Sequence, residues 1–231
     1  MDEAEKRLTV RDAATTVLWR SGPDGPQVLM GQRGAKAAFM PDKFVFPGGA
    51  VDPQDGEMAV SVPIEDSLSR QLAFDADPTC GQALAHAAIR ELWEETGLVL
   101  GELGAAPDGI PPDWANFYAG GMVPAVRALR FFFRAVTPPG RPRRFDARFF
   151  LAPADAIVGD VEDFSQASDE LRHLQWIDLG RARDYPLPFV TEVVLAEVGD
   201  ILAGSGGSEI PYFHQGVSGS SFKVIPVGDS P

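Results

Sequence analysis

The stretch that decides the fold of this chain spans residues 87–98 and reads AAIRELWEETGL. A helix over residues 81–96 turns by about 100° per residue, so Glu91, Glu94 and Glu95 share one arc of its surface. The opposite arc is suited to burial and carries Ala85, Ile89, Leu92 and Trp93. Gly97 follows the pattern directly, and glycine is typical of the position just after a helix. We therefore predict an amphipathic helix that ends at Gly97 and presents three carboxylates together.

Three carboxylates at this spacing repel one another, at a cost of a few tenths of a kcal/mol for each pair. A hard divalent cation relieves that repulsion, because Mg²⁺ prefers carboxylate and water oxygens and bridges to substrate phosphates. A solvated acidic face is the alternative interpretation of three such glutamates. The order of the neighbouring residues decides between the two, and it favours a metal site at Glu91, Glu94 and Glu95.

The neighbouring residues resemble the signature of the Nudix hydrolase family, G-x5-E-x7-R-E-U-x-E-E-x-G-U, in which U is a bulky aliphatic residue. The second half of the signature is matched by residues 90–98 and the opening by residues 46–52, FPGGAVD. The resemblance implies an α/β (α+β) Nudix fold, which is an α/β/α sandwich around a mixed β-sheet. It also implies that Glu91, Glu94 and Glu95 hold Mg²⁺ or Mn²⁺ for the hydrolysis of a diphosphate linkage in a nucleoside-diphosphate-linked compound.

The sequence departs from the signature in two ways. About thirty residues separate Gly49 from the helix, whereas the two halves of the family's signature, the Nudix box, are nearly continuous. Counting back from Arg90, the signature's first glutamate falls on Gln82, while Asp55 and Glu57 lie at nearly the right distance from Gly49. The number of bound metal ions therefore stays open.

The split box resembles the peroxisomal coenzyme A diphosphatases and their bacterial relatives. Further resemblance lies in two segments, residues 38–49 with Ala38-Phe39-Met40-Pro41 and residues 142–151. This branch implies coenzyme A or an acyl derivative as the preferred substrate. The alternatives are ADP-ribose, NADH, a nucleotide sugar or a nucleoside triphosphate, and, in another class, a ligand-sensing domain without turnover, which only Gln82 favours.

The resemblance also implies roles for residues around the helix. Arg90 is expected to support the carboxylates electrostatically, within the catalytic set, without touching substrate. Gly48 and Gly49 are expected to allow a backbone turn beside the substrate that no other residue tolerates. Glu170, in a loop before a predicted strand, is our candidate for completing the metal site or activating water.

An arginine cluster lies within eight residues of this acidic chain: Arg141, Arg143, Arg144 and Arg148. Guanidinium groups bind phosphate oxygens in bidentate fashion, so we expect Arg144 and Arg148 to contact the substrate's phosphates. The alternative is a solvated turn and strand edge that pairs with nearby aspartates.

The rest of the pattern predicts one Nudix domain over residues 1–231, with an insertion at about residues 53–80. We predict strands at residues 13–20, 27–33, 126–136, 144–152 and 172–177, a short helix around residues 64–72, and a last helix at residues 189–203. The Gly- and Ser-rich tail from about residue 204 is either loosely ordered or packed as an extended arm.

Composition narrows the functional class further. The net charge of −13 disfavours long nucleic acid and leaves a small anionic nucleoside diphosphate derivative as partner. The chain has one cysteine, no signal peptide and no apolar run long enough for a membrane span, so we expect a soluble cytoplasmic protein. The three histidines form no metal motif, and we expect each to be structural. Dimers are common in the superfamily, but no feature fixes an interface for a homodimer.

Overall fold

The computed structural model of the chain describes residues 9–35, 37, 40–207, 209–216 and 219–227. Ala38 and Phe39, which carry part of the resemblance, lie outside the described residues, as do residues 1–8 and 228–231. The strands are β1 (Val10–Gly22), β2 (Gly25–Arg33), β3 (Phe44–Val45), β4 (Gly48–Ala50), β5 (Val99–Leu103), β6 (Met122–Pro124), β7 (Arg130–Val136), β8 (Arg144–Pro153), β9 (Ile157–Val158), β10 (Leu171–Asp178), β11 (Glu209–Gly216) and β12 (Gly219–Pro226). The α-helices are α1 (Pro53–Glu57), α2 (Asp66–Leu72), α3 (Cys80–Thr96), α4 (Ala115–Ala119) and α5 (Phe189–Leu202).

The main sheet is mixed and has the order β10-β2-β1-β8-β7-β11-β12, with β3 attached to β2 and β4 attached to β1. β1 organises it. Its C-terminal half pairs with β2 and its N-terminal half with β4, both antiparallel, while β8 runs parallel along its other edge. A second, small sheet has the order β6-β5-β9.

Successive side chains of a strand point to opposite sides of the sheet, so both faces carry apolar residues. Helices cover both faces. Leu18 and Phe150 belong to the core under α3, together with Ile89 and Leu92 of that helix. Val17 and Phe149, one position earlier, belong to the core under α5. The predicted α/β/α sandwich around a mixed sheet is confirmed.

The helix that carries the three glutamates runs from Cys80 to Thr96, close to the predicted bounds. Gly97 ends it in the left-handed conformation, with φ of 78°, and its N–H donates to the carbonyl of Trp93. A Cβ at Gly97 would lie 2.9 Å from Cβ of Gln166, so the following loop packs directly against this end of the helix.

Three predictions about the rest of the chain need correction or completion. Residues 126–128 form a 3-10 turn, so the strand predicted from residue 126 begins at Arg130. The segment between the two halves of the box, predicted as largely irregular, contains α1 as well as α2. In the described part of the tail, β11 pairs in parallel with β7 and antiparallel with β12. Within the described ranges, no helix is both long and apolar enough to cross a membrane.

Candidate active site

The three glutamates lie on the second half of α3, where this helix crosses β1 and β4. The Thr16 hydroxyl, buried on β1, donates to the carbonyl of Ala88 at 2.9 Å and fixes the helix on the sheet. At the other side of the contact, the Gly48 N–H donates to Oε2 of Glu95 at 2.8 Å. The carboxylates are therefore held against the backbone of the Gly48-Gly49 pair.

Gly48 and Gly49 are required because of close approach and not because of an unusual backbone turn. A Cβ on Gly49 would lie 2.5 Å from Cδ of Glu91, and one on Gly48 would lie 2.6 Å from the carbonyl oxygen of Ala14. Neither glycine has a positive φ, so the expectation of a special turn was wrong. Gly49 excludes a side chain so that the Glu91 carboxylate can touch β4, and Gly48 excludes one so that β4 can lie close to β1.

Arg90 joins the two halves of the box. Its Nε and Nη2 donate to both oxygens of Asp55, at 2.9 and 3.0 Å, in a bidentate pair. Its Nη1 donates to Glu91 at 3.0 Å and to Glu94 at 2.9 Å, while Nη2 also reaches the carbonyl of Ala50 at 3.1 Å. A guanidinium that is 4% exposed therefore orients two of the three glutamates.

Asp55 is a site residue that counting back from Arg90 misses. It is fully buried, and it also accepts a hydrogen bond from the N–H of Asp52 at 2.9 Å. Counting forward from Gly49 would have found it, because Asp55 stands six positions later, where the signature has its first acidic residue. The insertion begins after this position, so the forward count keeps the register that the backward count loses.

Burial raises the pKa of all three glutamates above the ordinary value. The pKa of Glu91 rises to about 7 because of its burial, with Arg90 opposing and Glu94 and Glu170 adding to the rise. The pKa of Glu95 rises to about 8, again mainly by burial, with the Gly48 N–H opposing and Glu91 adding to the rise. Glu94 is shifted upward for the same principal reason.

Glu170 interacts electrostatically with this acidic group. Its carboxylate raises the pKa of both Glu91 and Glu95, so it lies near both. The loop before it is docked on the helix, since the Ser168 N–H donates to the carbonyl of Glu94 at 3.0 Å. The structure therefore brings Glu170 to the glutamates, although about seventy-five residues separate them in sequence.

The donor chemistry of this group fits a hard divalent cation. Buried carboxylates whose mutual repulsion disfavours ionisation are stabilised by a cation with oxygen ligands. As the side chains stand, Glu91 and Glu94 point to Arg90 and Glu95 points to Gly48, and no three carboxylate, imidazole or thiol groups in the described ranges enclose an ion. Binding would require Glu91 or Glu94 to turn from the guanidinium toward the cation.

Comparison with known proteins agrees with this geometry. The family model described as the NUDIX domain matches residues 10–197. The chain belongs to the NUDIX domain family. A curated protein of Caenorhabditis elegans named "Putative nudix hydrolase 7" is 27% identical over 164 residues, which cover 66% of this chain and 46% of that protein. This chain thus spans about half the length of that relative.

A solved Nudix structure shares most of the fold. The crystal structure of a NUDIX hydrolase from Alicyclobacillus acidocaldarius is 30% identical, with a TM-score of 0.60, over 82% of this chain and 91% of that one. The likeness covers the α/β/α sandwich and supports its assignment as a Nudix fold.

Arg33 is a second residue near the glutamates that sequence reasoning missed. It ends β2, pairs with Leu171 next to Glu170, and its charge lowers the pKa of Glu95. Its Nε is buried and has no hydrogen-bond partner in the described part of the chain. One signal for Arg33 was present in the sequence, its position at the end of a predicted strand. The pairing of β2 with β10, which brings it near Glu170, joins residues far apart in the chain.

Arg148 and Arg144 are not brought to the Nudix glutamates. Arg148 is 0% exposed, and its Nη1 donates to Asp12 at 2.5 Å and lies 3.2 Å from Oδ1 of Asp146. Its charge opposes the rise that burial causes in the pKa of Cys80, which lies at the end of α3 opposite the glutamates. Arg144 donates through Nε to the carbonyl of Thr137 at 3.1 Å, in the β7–β8 connection. The expectation of phosphate contacts is corrected for Arg148, whose burial between β1 and β7 leaves a substrate no access.

Proposed function

We propose that this chain hydrolyses a diphosphate linkage in a nucleoside-diphosphate-linked compound, with Mg²⁺ or Mn²⁺ held by Glu91, Glu94 and Glu95. One observation carries the proposal. Three glutamates and Glu170 concentrate negative charge beside Gly48 and Gly49, and the pKa of Glu91 and Glu95 is raised to about 7 and about 8. Such perturbed carboxylates are typical of functional sites, and hard divalent cations prefer carboxylate oxygens as ligands.

A bound divalent cation supplies neutralisation of the diphosphate charge and a lower pKa for water near it. The chain's own residues prepare this chemistry. Arg90 holds Glu91 and Glu94 on the same side of α3, and the Gly48 N–H holds Glu95. Because Gly49 has no side chain, the Glu91 carboxylate lies directly against the backbone of β4.

Glu170 is our candidate for the proton acceptor. Its side chain is exposed, so water reaches it, and its charge reaches Glu91 and Glu95. An exposed carboxylate beside a cation-binding cluster can take the proton of an attacking water or complete the ligand set. A helix glutamate that takes the same proton is the alternative.

Arg33 is our candidate for the residue that contacts the substrate's phosphates, in place of Arg148. A buried Nε without a partner is costly, and a phosphate oxygen would satisfy it. Arg33 lies beside Glu95 and at the strand end that adjoins Glu170. The cation and Arg33 would then bind the same diphosphate from two directions.

Coenzyme A or an acyl derivative is the proposed substrate. The split box supports this preference by its resemblance to coenzyme A diphosphatases, and the insertion contains the helix α2 beside the box. Hydrolysis would give 3′,5′-adenosine bisphosphate and (acyl-)phosphopantetheine. The Nudix fold alone accommodates ADP-ribose, NADH, nucleotide sugars and nucleoside triphosphates equally well.

A substrate panel tests the proposal at both levels. The purified chain is given each of these compounds with Mg²⁺ or Mn²⁺, products are identified by mass spectrometry, and Glu91→Gln serves as the inactive control. Release of 3′,5′-adenosine bisphosphate from coenzyme A supports the preference, and cleavage of ADP-ribose alone overturns it. No cleavage of any compound, together with Mg²⁺ binding that Glu91→Gln does not weaken, contradicts the enzyme and favours a ligand-sensing domain.

A further inference from the structure

A chain of side-chain hydrogen bonds joins the insertion to α3 behind the glutamates. Gln82 accepts from the Ile64 N–H at 3.0 Å through Oε1 and donates through Nε2 to the carbonyl of Val62 at 3.2 Å. The same Nε2 lies 2.9 Å from Nε2 of His86. Gln82 thus contacts the insertion and the helix at once.

His86 continues the chain to the other half of the box. Its Nδ1 lies 2.9 Å from the carbonyl oxygen of Asp55, which has no proton, so Nδ1 must carry the hydrogen and donate. Nε2 of the neutral ring then has a free lone pair, which accepts the remaining proton of the Gln82 amide. His86 is 1% exposed and packs edge-on against Trp114, so the ring has a fixed orientation.

The far end of this chain is the arginine that orients the glutamates. The main chain of Asp55 is held by His86, and its carboxylate takes the bidentate bond from Arg90. Arg90 in turn contacts Glu91 and Glu94. A displacement of the segment around Asp55 would therefore move the guanidinium and both carboxylates.

We propose that Gln82 and His86 are positioning residues for the glutamate cluster, and that they act through Asp55 and Arg90 across the insertion. This rests on the proposed function for its consequence in turnover, whereas its consequence for cation binding is independent of the substrate. It explains why an amide stands at residue 82. A glutamate there would have no proton to give to Val62 or to His86, and the chain of bonds would break in two places.

The test uses Gln82→Met, which keeps the shape and removes the hydrogen bonds, and His86→Phe, which keeps a ring beside Trp114. Outer residues that orient ligands typically change metal affinity or activity by about 10- to 100-fold. We expect each variant to raise the Mn²⁺ dissociation constant by about 10-fold and to lower kcat with little change in KM. The double variant should lose no more than the larger single loss, because both act through one chain.

A matched control separates positioning from general stability. Gln71→Met lies on α2 of the same insertion, and no hydrogen bond joins Gln71 to α3 among the described residues. It should leave Mn²⁺ affinity and kcat unchanged. Folded Gln82→Met and His86→Phe proteins with wild-type Mn²⁺ affinity and kcat overturn the proposal, even if their unfolding midpoints fall.

A second measurement needs no variant, so it stands even if both substitutions prevent folding. The ¹⁵N spectrum of histidine-labelled wild-type protein should show His86 neutral and protonated on Nδ1. Protonation on Nε2 instead would overturn the proposed series of hydrogen bonds. A wild-type protein that binds Mn²⁺ but cleaves no compound of the panel contradicts the proposed function alone. Absence of Mn²⁺ binding overturns both the proposed function and the positioning role of Gln82 and His86.

Discussion

At the scale of single residues, the charge balance around Arg90 decides what the site can hold. One guanidinium faces Asp55, Glu91 and Glu94 at hydrogen-bond distance, so it compensates only part of their charge. Glu95 is 2% exposed, and its carboxylate accepts one hydrogen bond from the described residues, that of the Gly48 N–H, with the charge of Arg33 as further support. The excess negative charge that remains is the physical reason to expect a cation here.

Gly49→Ala tests the contact between β4 and the helix carboxylates. The new Cβ would lie 2.5 Å from the Glu91 carboxyl carbon, so Glu91 must turn away from β4. We expect Mn²⁺ affinity and kcat each to fall by roughly 10-fold or more, as for other changes that misplace a ligand. Gly56→Ala is the control, since its Cβ meets only Ala83 at 3.6 Å, and it should match wild type. Equal metal affinity in both variants would contradict the assigned role of Gly49.

Arg33→Met tests the phosphate contact. Hydrogen bonds to charged groups contribute about 1.5–3 kcal/mol, which corresponds to roughly 10- to 100-fold in kcat/KM. We expect that loss mainly as a higher KM, because the arginine would bind the diphosphate before and during reaction. Arg181→Met, on an exposed turn, is the control with unchanged kinetics. Steady-state kinetics in which Arg33→Met equals this control would remove Arg33 from the site.

At the scale of elements, the end of α3 links the glutamates to the loop that carries Glu170. Gly97 makes a left-handed cap, and the loop packs on it so closely that a Cβ would lie 2.9 Å from Gln166. Because the Ser168 N–H is bound to the carbonyl of Glu94, the loop follows the helix end. The helix cap therefore sets the distance between Glu170 and the cluster.

Gly97→Ala is expected to destabilise the protein and to disturb this distance. The left-handed conformation costs a residue with a Cβ about 1–2 kcal/mol, and the contact with Gln166 adds to that. We expect the free energy of unfolding in urea to fall by at least about 1 kcal/mol and kcat to fall with it. Gly180→Ala, where a Cβ meets no atom within 4 Å, is the matched control. Unchanged stability of Gly97→Ala would contradict the strained cap.

The elements that the sequence predicts well are those defined by local patterns. The helix with its 3.6-residue period and glycine cap is local, and so are the strands that alternate between two cores. The parallel pairing of β1 with β8 joins residues more than 130 positions apart, and it buries Arg148. Because no local pattern reveals this pairing, the sequence suggested that Arg148 could reach a substrate. The hairpin of β11 and β12 was hidden for the same reason, because its packing on β7 is not encoded in its Gly- and Ser-rich composition. Asp55 was lost through the direction of counting and not through any lack of local signal.

At the scale of the whole molecule, the net charge of −13 and the buried glutamates act in the same direction. Self-repulsion of an acidic chain disfavours further ionisation in the folded state. A cation at the cluster reduces both the local repulsion and the total charge. Stability, pH and divalent metal should therefore be thermodynamically linked in this protein.

The sign of that linkage can be worked out from the site. The folded-state pKa of Glu91 is about 7 and that of Glu95 about 8, both above their ordinary value of 4.5, so the folded state binds more protons than the unfolded chain between about pH 4.5 and about pH 8. The free energy of unfolding of the metal-free protein should therefore fall as pH rises through this window. His86 acts oppositely, since burial lowers its pKa, but only below its ordinary value of 6.5. Between about pH 6.5 and about pH 8 the opposing effect of His86 fades, while Glu91 and Glu95 still titrate in the folded state.

Urea unfolding at the two ends of this interval, with chelator or with millimolar Mg²⁺, measures the effect. We expect chelated protein to lose stability toward about pH 8 and Mg²⁺ to restore it, with a larger increment at about pH 8 because fewer protons compete for the carboxylates. The Glu91→Gln/Glu95→Gln double variant should show neither the fall nor the metal-dependent recovery, since neutral amides neither titrate nor bind the ion strongly. If chelated wild-type protein were as stable at about pH 8 as at about pH 6.5, these carboxylates would be ionised without cost, and the electrostatic argument for a cation at the cluster would fail.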